Sequence, residues 1–231
     1  MVEPSATTSW LATEPTVERV QLDAATWVDV VRGFLPRADE IHDALIDAVS
    51  WEQGNVFRYE RNVDMPRLNS MTPGRRAHDA LAEAGVWLDQ RYRVTFDGGA
   101  LARYRDRRDS VGWHRDREMR WLDDTVIGVL TLGARRPFLM RPLLARRMEH
   151  DDMTGVLDFS PASGDLLVMG GRCQAAWLHA VPKTAGPVRS RMSVQYRWTS
   201  KRGKPDTNPS FYAARHFGSG ARPTGSARPT R

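Results

Sequence analysis

Within Arg189–Thr199, read as the last strand, Arg191-Met192-Ser193-Val194-Gln195-Tyr196-Arg197-Trp198-Thr199 alternates polar and apolar side chains along its length. Side chains of a strand point to opposite faces, so Arg191, Ser193, Gln195 and Arg197 share one face and Met192, Val194, Tyr196 and Trp198 the other. The apolar face must meet a packed layer. A central strand would turn the arginine face inward, and two buried guanidiniums need anionic partners; an edge strand would simply solvate it. Upstream, Ala100–Arg105, Val111–His114, Val126–Leu132, Phe138–Arg141, Gly155–Phe159, Asp165–Met169 and Gln174–Leu178 are short runs separated by Gly, Pro, Asp or Ser. That texture predicts a series of strands. The first hundred residues have helical spacing instead. A short helix is expected over Ala25–Leu35, an amphipathic one over Ala38–Trp51 and another over Arg75–Gln90, with Val20–Leu22 as an edge strand. Helices followed by about eight strands give an α+β class whose β part is a sandwich or jelly roll.

Within this frame Gly112-Trp113-His114-Arg115-Asp116-Arg117-Glu118 carries an imidazole and a carboxylate one residue apart. On an extended segment the two share a face and supply two donors of a 2-His-1-carboxylate site. A surface ion pair would have the same spacing. His179, at the end of an apolar run, is a candidate third ligand, although a satisfied core histidine is the plainer reading.

Composition limits the alternatives. With 231 residues, 41% hydrophobic and eight tryptophans, the chain can bury a core and is not disordered throughout. The single cysteine, Cys173, excludes an internal disulfide framework. No apolar run has the length of a membrane span and residues 1–16 lack a signal-peptide pattern, so a cytoplasmic protein with no membrane partner is the expectation. The net charge of +6 lies in the tail: Ser200–Arg231 holds seven basic residues and one acid. Residues 101–150 add twelve arginines against seven acids. A basic middle and tail suit a polyanion; a solvated arginine-rich surface would look the same. Ala221-Arg222-Pro223-Thr224 recurs as Ala227-Arg228-Pro229-Thr230, a low-complexity setting in which disorder and salt-dependent nucleic-acid affinity are expected.

Taken together, Arg103-Tyr104-Arg105-Asp106, Asp109 to Asp116, Leu130 to Arg135, Gly164 to Met169, His179-Ala180-Val181-Pro182 and the pair Arg191 and Arg197 resemble the AlkB family of Fe(II)- and 2-oxoglutarate-dependent dioxygenases. The resemblance runs from about Phe34 to Trp198. It implies a double-stranded β-helix (jelly-roll) core over 99–199, with N-terminal helices and a substrate lid over 20–98; composition adds the expectation of a flexible 1–19 and a disordered basic tail over 200–231. It implies His114, Asp116 and His179 as catalytic Fe(II) ligands, Arg191 on the far carboxylate of 2-oxoglutarate, and Tyr104 beside the same cosubstrate. Arg197 would support Asp116 or the substrate side. Glu118, Arg67 and Trp113 would meet the substrate, Glu118 favouring cationic bases such as 1-methyladenine and 3-methylcytosine. The implied reaction uses O2, converts 2-oxoglutarate to succinate and removes a methyl group as formaldehyde. Its partner would be single-stranded or flipped-base DNA or RNA, met by a monomer.

Several positions depart from the family pattern. Ala102 stands where an asparagine is common, Ser193 and Gln195 where Asn and Thr are common, and Met71-Thr72 where an aromatic is usual. Trp51, Phe57 and Tyr59 are candidates for the missing stacking face, with core packing the plainer role for each. Other readings are a 2-oxoglutarate-dependent hydroxylase of a protein or small molecule, a nucleic-acid-binding protein without catalysis, and a zinc hydrolase. The last would have no use for the paired arginines.

Overall fold

The computed structural model describes residues 9–58, 61–143, 153 and 155–207, without the side chains of 56–62. Val20–Leu22 lies within an edge strand, β1 (Glu18–Asp23), which pairs with β2 (Thr26–Val31). β2 replaces the helix expected over Ala25–Leu35. It is sandwiched on both faces, so apolar residues occupy consecutive positions and imitate helical spacing. Val28 and Val30 face one core and Trp27 and Val31 the other. Between them Asp29, fully buried, accepts from Arg19 and from the Tyr92 hydroxyl at 2.9 Å.

Helix α1 (Ala38–Ala48) buries Ile41 and Leu45, and Trp51 donates its indole N–H to the Leu45 carbonyl at 3.1 Å. Trp51 is thus bound to the end of α1, in the packing role. A hairpin, β3 (Asn55–Arg58) and β4 (Arg61–Asp64), leads to β5 (Leu68–Ser70). Tyr59 and the Phe57 side chain lie outside what is described. The helix expected over Arg75–Gln90 is two, α2 (Gly74–Ala77) and α3 (Asp79–Tyr92). His78 breaks them: its backbone is extended, and its Nδ1 accepts the Ala80 N–H at 3.1 Å as an N-cap.

The remaining strands are β6 (Ala100–Tyr104), β7 (Val111–His114), β8 (Thr125–Gly133), β9 (Leu139–Pro142), β10 (Leu157–Asp158), β11 (Leu166–Gly171), β12 (Trp177–Val181) and β13 (Arg191–Thr199). A helical turn, α4 (Cys173–Ala176), precedes β12. The strand expected over Gln174–Leu178 therefore starts later, and His179 falls mid-strand. The strands form a seven-stranded sheet, β1-β2-β11-β8-β13-β6-β5, facing a four-stranded one, β10-β9-β12-β7. Their pairings are antiparallel. This is the jelly-roll arrangement of an α+β fold.

β13 is central, between β8 and β6, which settles the alternative that its alternation left open. Met192, Val194 and Tyr196 pack with Ile41, Leu45, Leu81 and Leu88 of the helices. The arginine face looks between the sheets. A second core fills that space with Val111, Ile127, Val129, Met140 and Leu167. β8 is buried from Thr125 to Leu132 because both its faces are covered.

The chain is tied down beyond the expected limits. Trp10 donates its N–H to Glu83 at 3.0 Å and stands edge-on to His78. At the other end, residues 200–207 fold back on the body. The Ala-Arg-Pro-Thr repeats lie outside the described residues. Among the described residues no helix is long and apolar enough to cross a membrane.

Gly164 closes the turn into β11 with φ +83°, and a Cβ there would lie 2.4 Å from the Leu35 carbonyl oxygen. That oxygen belongs to backbone pinned by a Leu35 N–H bond to Gly164 O at 2.9 Å, so it cannot yield cheaply. Gly164→Ala is expected to cost about 2–4 kcal/mol of unfolding free energy, read by urea denaturation.

Candidate metal centre and cosubstrate pocket

β7 and β12 are adjacent, and His114 and His179 are register partners across them. Their ring centroids lie 4.1 Å apart. Asp116 follows just past the end of β7 and puts Oδ1 3.6 Å from the Nε2 of each histidine. One ligand atom from each residue lies within 4.8 Å of the others, and no other such cluster occurs among the described residues. His114 Nδ1 is 2.8 Å from the Gly112 carbonyl; protonation there leaves Nε2 in the unprotonated form that can ligate a metal.

The charge states suit a cation. Burial pushes both imidazoles down, His179 to about 3. Burial alone would raise Asp116, but the Arg197 guanidinium and the two imidazoles outweigh it and hold the carboxyl well below the usual range. Two neutral imidazoles and one carboxylate converge on one point, the donor set of a non-haem Fe(II) site with open positions. Arg197 Nε donates to Asp116 Oδ2 at 2.7 Å, leaving Oδ1 toward the histidines. Of the two roles open to Arg197, the geometry displays the support of Asp116. Gln174 Oε1 accepts the Asp116 N–H at 2.8 Å. Sequence reading missed Gln174; only its place in α4 brings it to the site.

Arg191 is 0% exposed. It donates to Ser193 Oγ at 2.7 Å and Thr131 Oγ1 at 3.2 Å, and its Nε has no partner. Burial draws its pKa down to about 10. Among the described residues no carboxylate pairs with it. A buried cation held only by neutral hydroxyls fits the carboxylate of a guest such as 2-oxoglutarate. Ser193, a departure from the family pattern, orients it together with Thr131. Tyr104 is buried beside it, its ring 5.3 Å from the Arg191 Cζ, and its hydroxyl accepts from Arg67 at 3.2 Å.

A cavity of about 340 Å³ is walled by Arg67, Asn69, His114, Asp116, Glu118 and Arg197. A smaller space shares Arg67, His114 and Asp116 with it and is bounded by Tyr104, His179 and Ser193. Glu118 stands 3.9 Å from Arg197, and burial, reinforced by Asp116, pushes its carboxyl up to about 7. Asn69, also missed, lies directly across from Ala102 on β5, with its amide nitrogen buried and unpartnered. An amide absent from Ala102 is thus present on the neighbouring strand. Trp113 is not in the cavity wall; its ring lies under the Arg141 guanidinium at 4.3 Å. Met71, at the cavity wall where an aromatic was expected, is 70% exposed.

A sequence model of the 2OG-Fe(II) oxygenase superfamily matches residues 17–207. The human alpha-ketoglutarate-dependent dioxygenase alkB homolog 3 is 30% identical over 185 residues, 73% of this chain and 64% of its own length. The DNA oxidative demethylase ALKBH2 of Arabidopsis thaliana is 28% identical over 132 residues, 48% of this chain and 41% of that protein. The chain thus spans just under two thirds of the AlkB homolog 3 relative, and these similarities bear out the AlkB resemblance. Among solved structures, a Trichoplax adhaerens prolyl hydroxylase in complex with a hypoxia inducible factor peptide aligns with TM-score 0.52 and 13% identity, covering 75% of this chain and 84% of that one. EvdO2 from Micromonospora carbonacea var. aurantiaca, complexed with 2-oxoglutarate, aligns with TM-score 0.50 and 12% identity over 84% and 98% of the two chains. At such identities the likeness is one of fold. Sequence match, fold and donor set agree, and the chain belongs to the 2OG-Fe(II) oxygenase superfamily.

Proposed function

We propose that the protein is an AlkB-type dioxygenase that removes N-linked methyl groups from bases such as 1-methyladenine and 3-methylcytosine in DNA or RNA. The observation that carries the reading is the cavity itself: His114 and Asp116 of the metal-ligand cluster and the carboxyl group of Glu118 line one space in a chain similar to two AlkB homologues. His114, Asp116 and His179 would hold Fe(II), and Arg191 with Tyr104 would hold 2-oxoglutarate. When bound with O2, these supply oxidation of the N-methyl group, which leaves as formaldehyde while 2-oxoglutarate leaves as succinate and carbon dioxide.

The chain's own residues do the rest. Arg197 keeps one oxygen of Asp116 occupied and so fixes which oxygen faces the metal position. Arg191 orients a dicarboxylate by a charge-assisted bond that a neutral donor would not match. The enclosing strands exclude water from the imidazoles and keep them neutral. Glu118 offers a cationic base a partner that a neutral base cannot use, and a base must leave its stack to reach that depth.

The test is to incubate the protein with Fe(II), 2-oxoglutarate and single-stranded oligonucleotides carrying either lesion, reading base masses and succinate. Loss of the methyl group with succinate formed supports the reading. Succinate with unchanged bases would assign a protein or small-molecule substrate instead. Glu118→Gln is expected to lower kcat/KM for 3-methylcytosine by about tenfold or more and to affect the neutral base 1-methylguanine far less.

A further inference from the structure

Two metal-site residues are fixed by sheet pairing; the third is not. His114 and His179 face each other in register, whereas Asp116 precedes a 3-10 turn, Arg117–Met119, that no strand supports. The turn is closed by bonds from Met119 N–H to Asp116 O and from Arg120 N–H to Arg117 O, at 3.1 and 3.0 Å. It ends at Arg120 with φ +65°, a conformation that a residue with a side chain adopts only when something holds it.

Residues 199–206 run across that turn. Thr199 Oγ1 donates to the Trp121 carbonyl at 2.7 Å, and Ser200 N–H to that of Asp124 at 3.1 Å. Asp206 N–H donates to the Arg120 carbonyl at 2.7 Å, so the strained residue is bonded from outside. The Asp206 carboxylate takes the Arg117 guanidinium at two points, Nε to Oδ2 at 2.7 Å and a terminal nitrogen to Oδ1 at 2.9 Å. Arg117 is the residue between Asp116 and Glu118. Both partners are mostly covered, at 22% and 15% exposure, so solvent screens the pair little, and a two-point contact fixes direction as well as distance.

We propose that residues 199–206 are a strap, with Asp206 and Arg117 as positioning residues that hold Asp116 toward the histidines and Glu118 toward the cavity. A segment whose composition reads as tail is then part of the site. The inference rests on the metal position and not on the identity of the substrate, so its test uses no nucleic acid.

The experiment titrates Co(II) into the purified, metal-free full chain. It reads affinity, the visible Co(II) spectrum and amide hydrogen exchange at Met119 and Arg120. Asp206→Asn, which keeps the shape and removes the charge, is expected to weaken Co(II) binding about tenfold, alter the spectrum and speed exchange at both amides. Reversing the pair, Arg117→Asp with Asp206→Arg, is expected to recover most of the affinity. Arg117→Lys keeps the charge without the two-point geometry, and a smaller loss is expected should the other variants not fold. Unchanged Co(II) affinity and spectrum in Asp206→Asn or Arg117→Lys would overturn the proposal, even if the melting temperature fell. So would a loss in Asp206→Asn that the folded reversed pair does not recover.

Discussion

Arg191→Met is expected to weaken 2-oxoglutarate binding by about 10²–10³-fold while leaving the metal-free fold at least as stable. The two effects come from the same fact. Arg191 is fully buried, donates to the Ser193 and Thr131 hydroxyls and has no carboxylate partner among the described residues, and burial has already lowered its pKa to about 10. A cation kept from water without a counter-charge costs several kcal/mol, and methionine fills similar space without that cost. The hydrogen bonds given up at Ser193 and Thr131 are worth about 1 kcal/mol each, so stability should stay level or rise. The cosubstrate, by contrast, loses a charge-assisted contact worth about 2–5 kcal/mol. Calorimetric titration of 2-oxoglutarate into the Mn(II)-loaded protein and urea unfolding of the metal-free protein check the two halves. A variant that unfolds more easily yet binds 2-oxoglutarate normally would make Arg191 a structural residue.

Asp116→Ala and His179→Ala should both abolish turnover, but they should differ in stability. Asp116 is the counter-charge of Arg197, with Nε and Oδ2 at 2.7 Å and the guanidinium side chain 18% exposed. Removing it leaves Arg197 with Glu118 at 3.9 Å, and breaking a buried pair from one side costs about 3–5 kcal/mol. His179 is buried as a neutral ring, so its removal leaves a small cavity and no bare charge, at about 1–2 kcal/mol. Denaturation in the presence of a chelator separates the two variants. Equal losses would mean that the Arg197–Asp116 pair contributes nothing beyond packing. Metal affinity should fall by at least about 10²-fold in both, more than the 10–100-fold effect of an outer partner.

How far the sequence carries depends on whether a residue's role is local. Alternation in β13 placed Arg191 and Arg197 on one face without any knowledge of neighbours; His114 and Asp116 do converge, but Asp116 lies past the end of β7 rather than on one extended segment with His114. β2 was misread because burial on both sides erases the period that distinguishes strand from helix. The break at His78 is hidden because the residues on both sides favour helix. Gln174, 58 residues from the Asp116 that it supports, and Asp206, 89 residues from Arg117, act through tertiary placement. No local pattern marks such residues. Asn69 is similar: it matters because β5 lies against β6 opposite Ala102.

The central claim is that the His114, Asp116, His179 face and Arg191 serve one oxidation of one methylated base. The most direct measurement is the ratio of succinate formed to methyl groups removed, with Fe(II), 2-oxoglutarate and a saturating 3-methylcytosine oligonucleotide. The account predicts about one succinate for each base restored, and neither product in His114→Ala. Succinate formed at the same rate with and without the oligonucleotide, its bases unchanged, would contradict it.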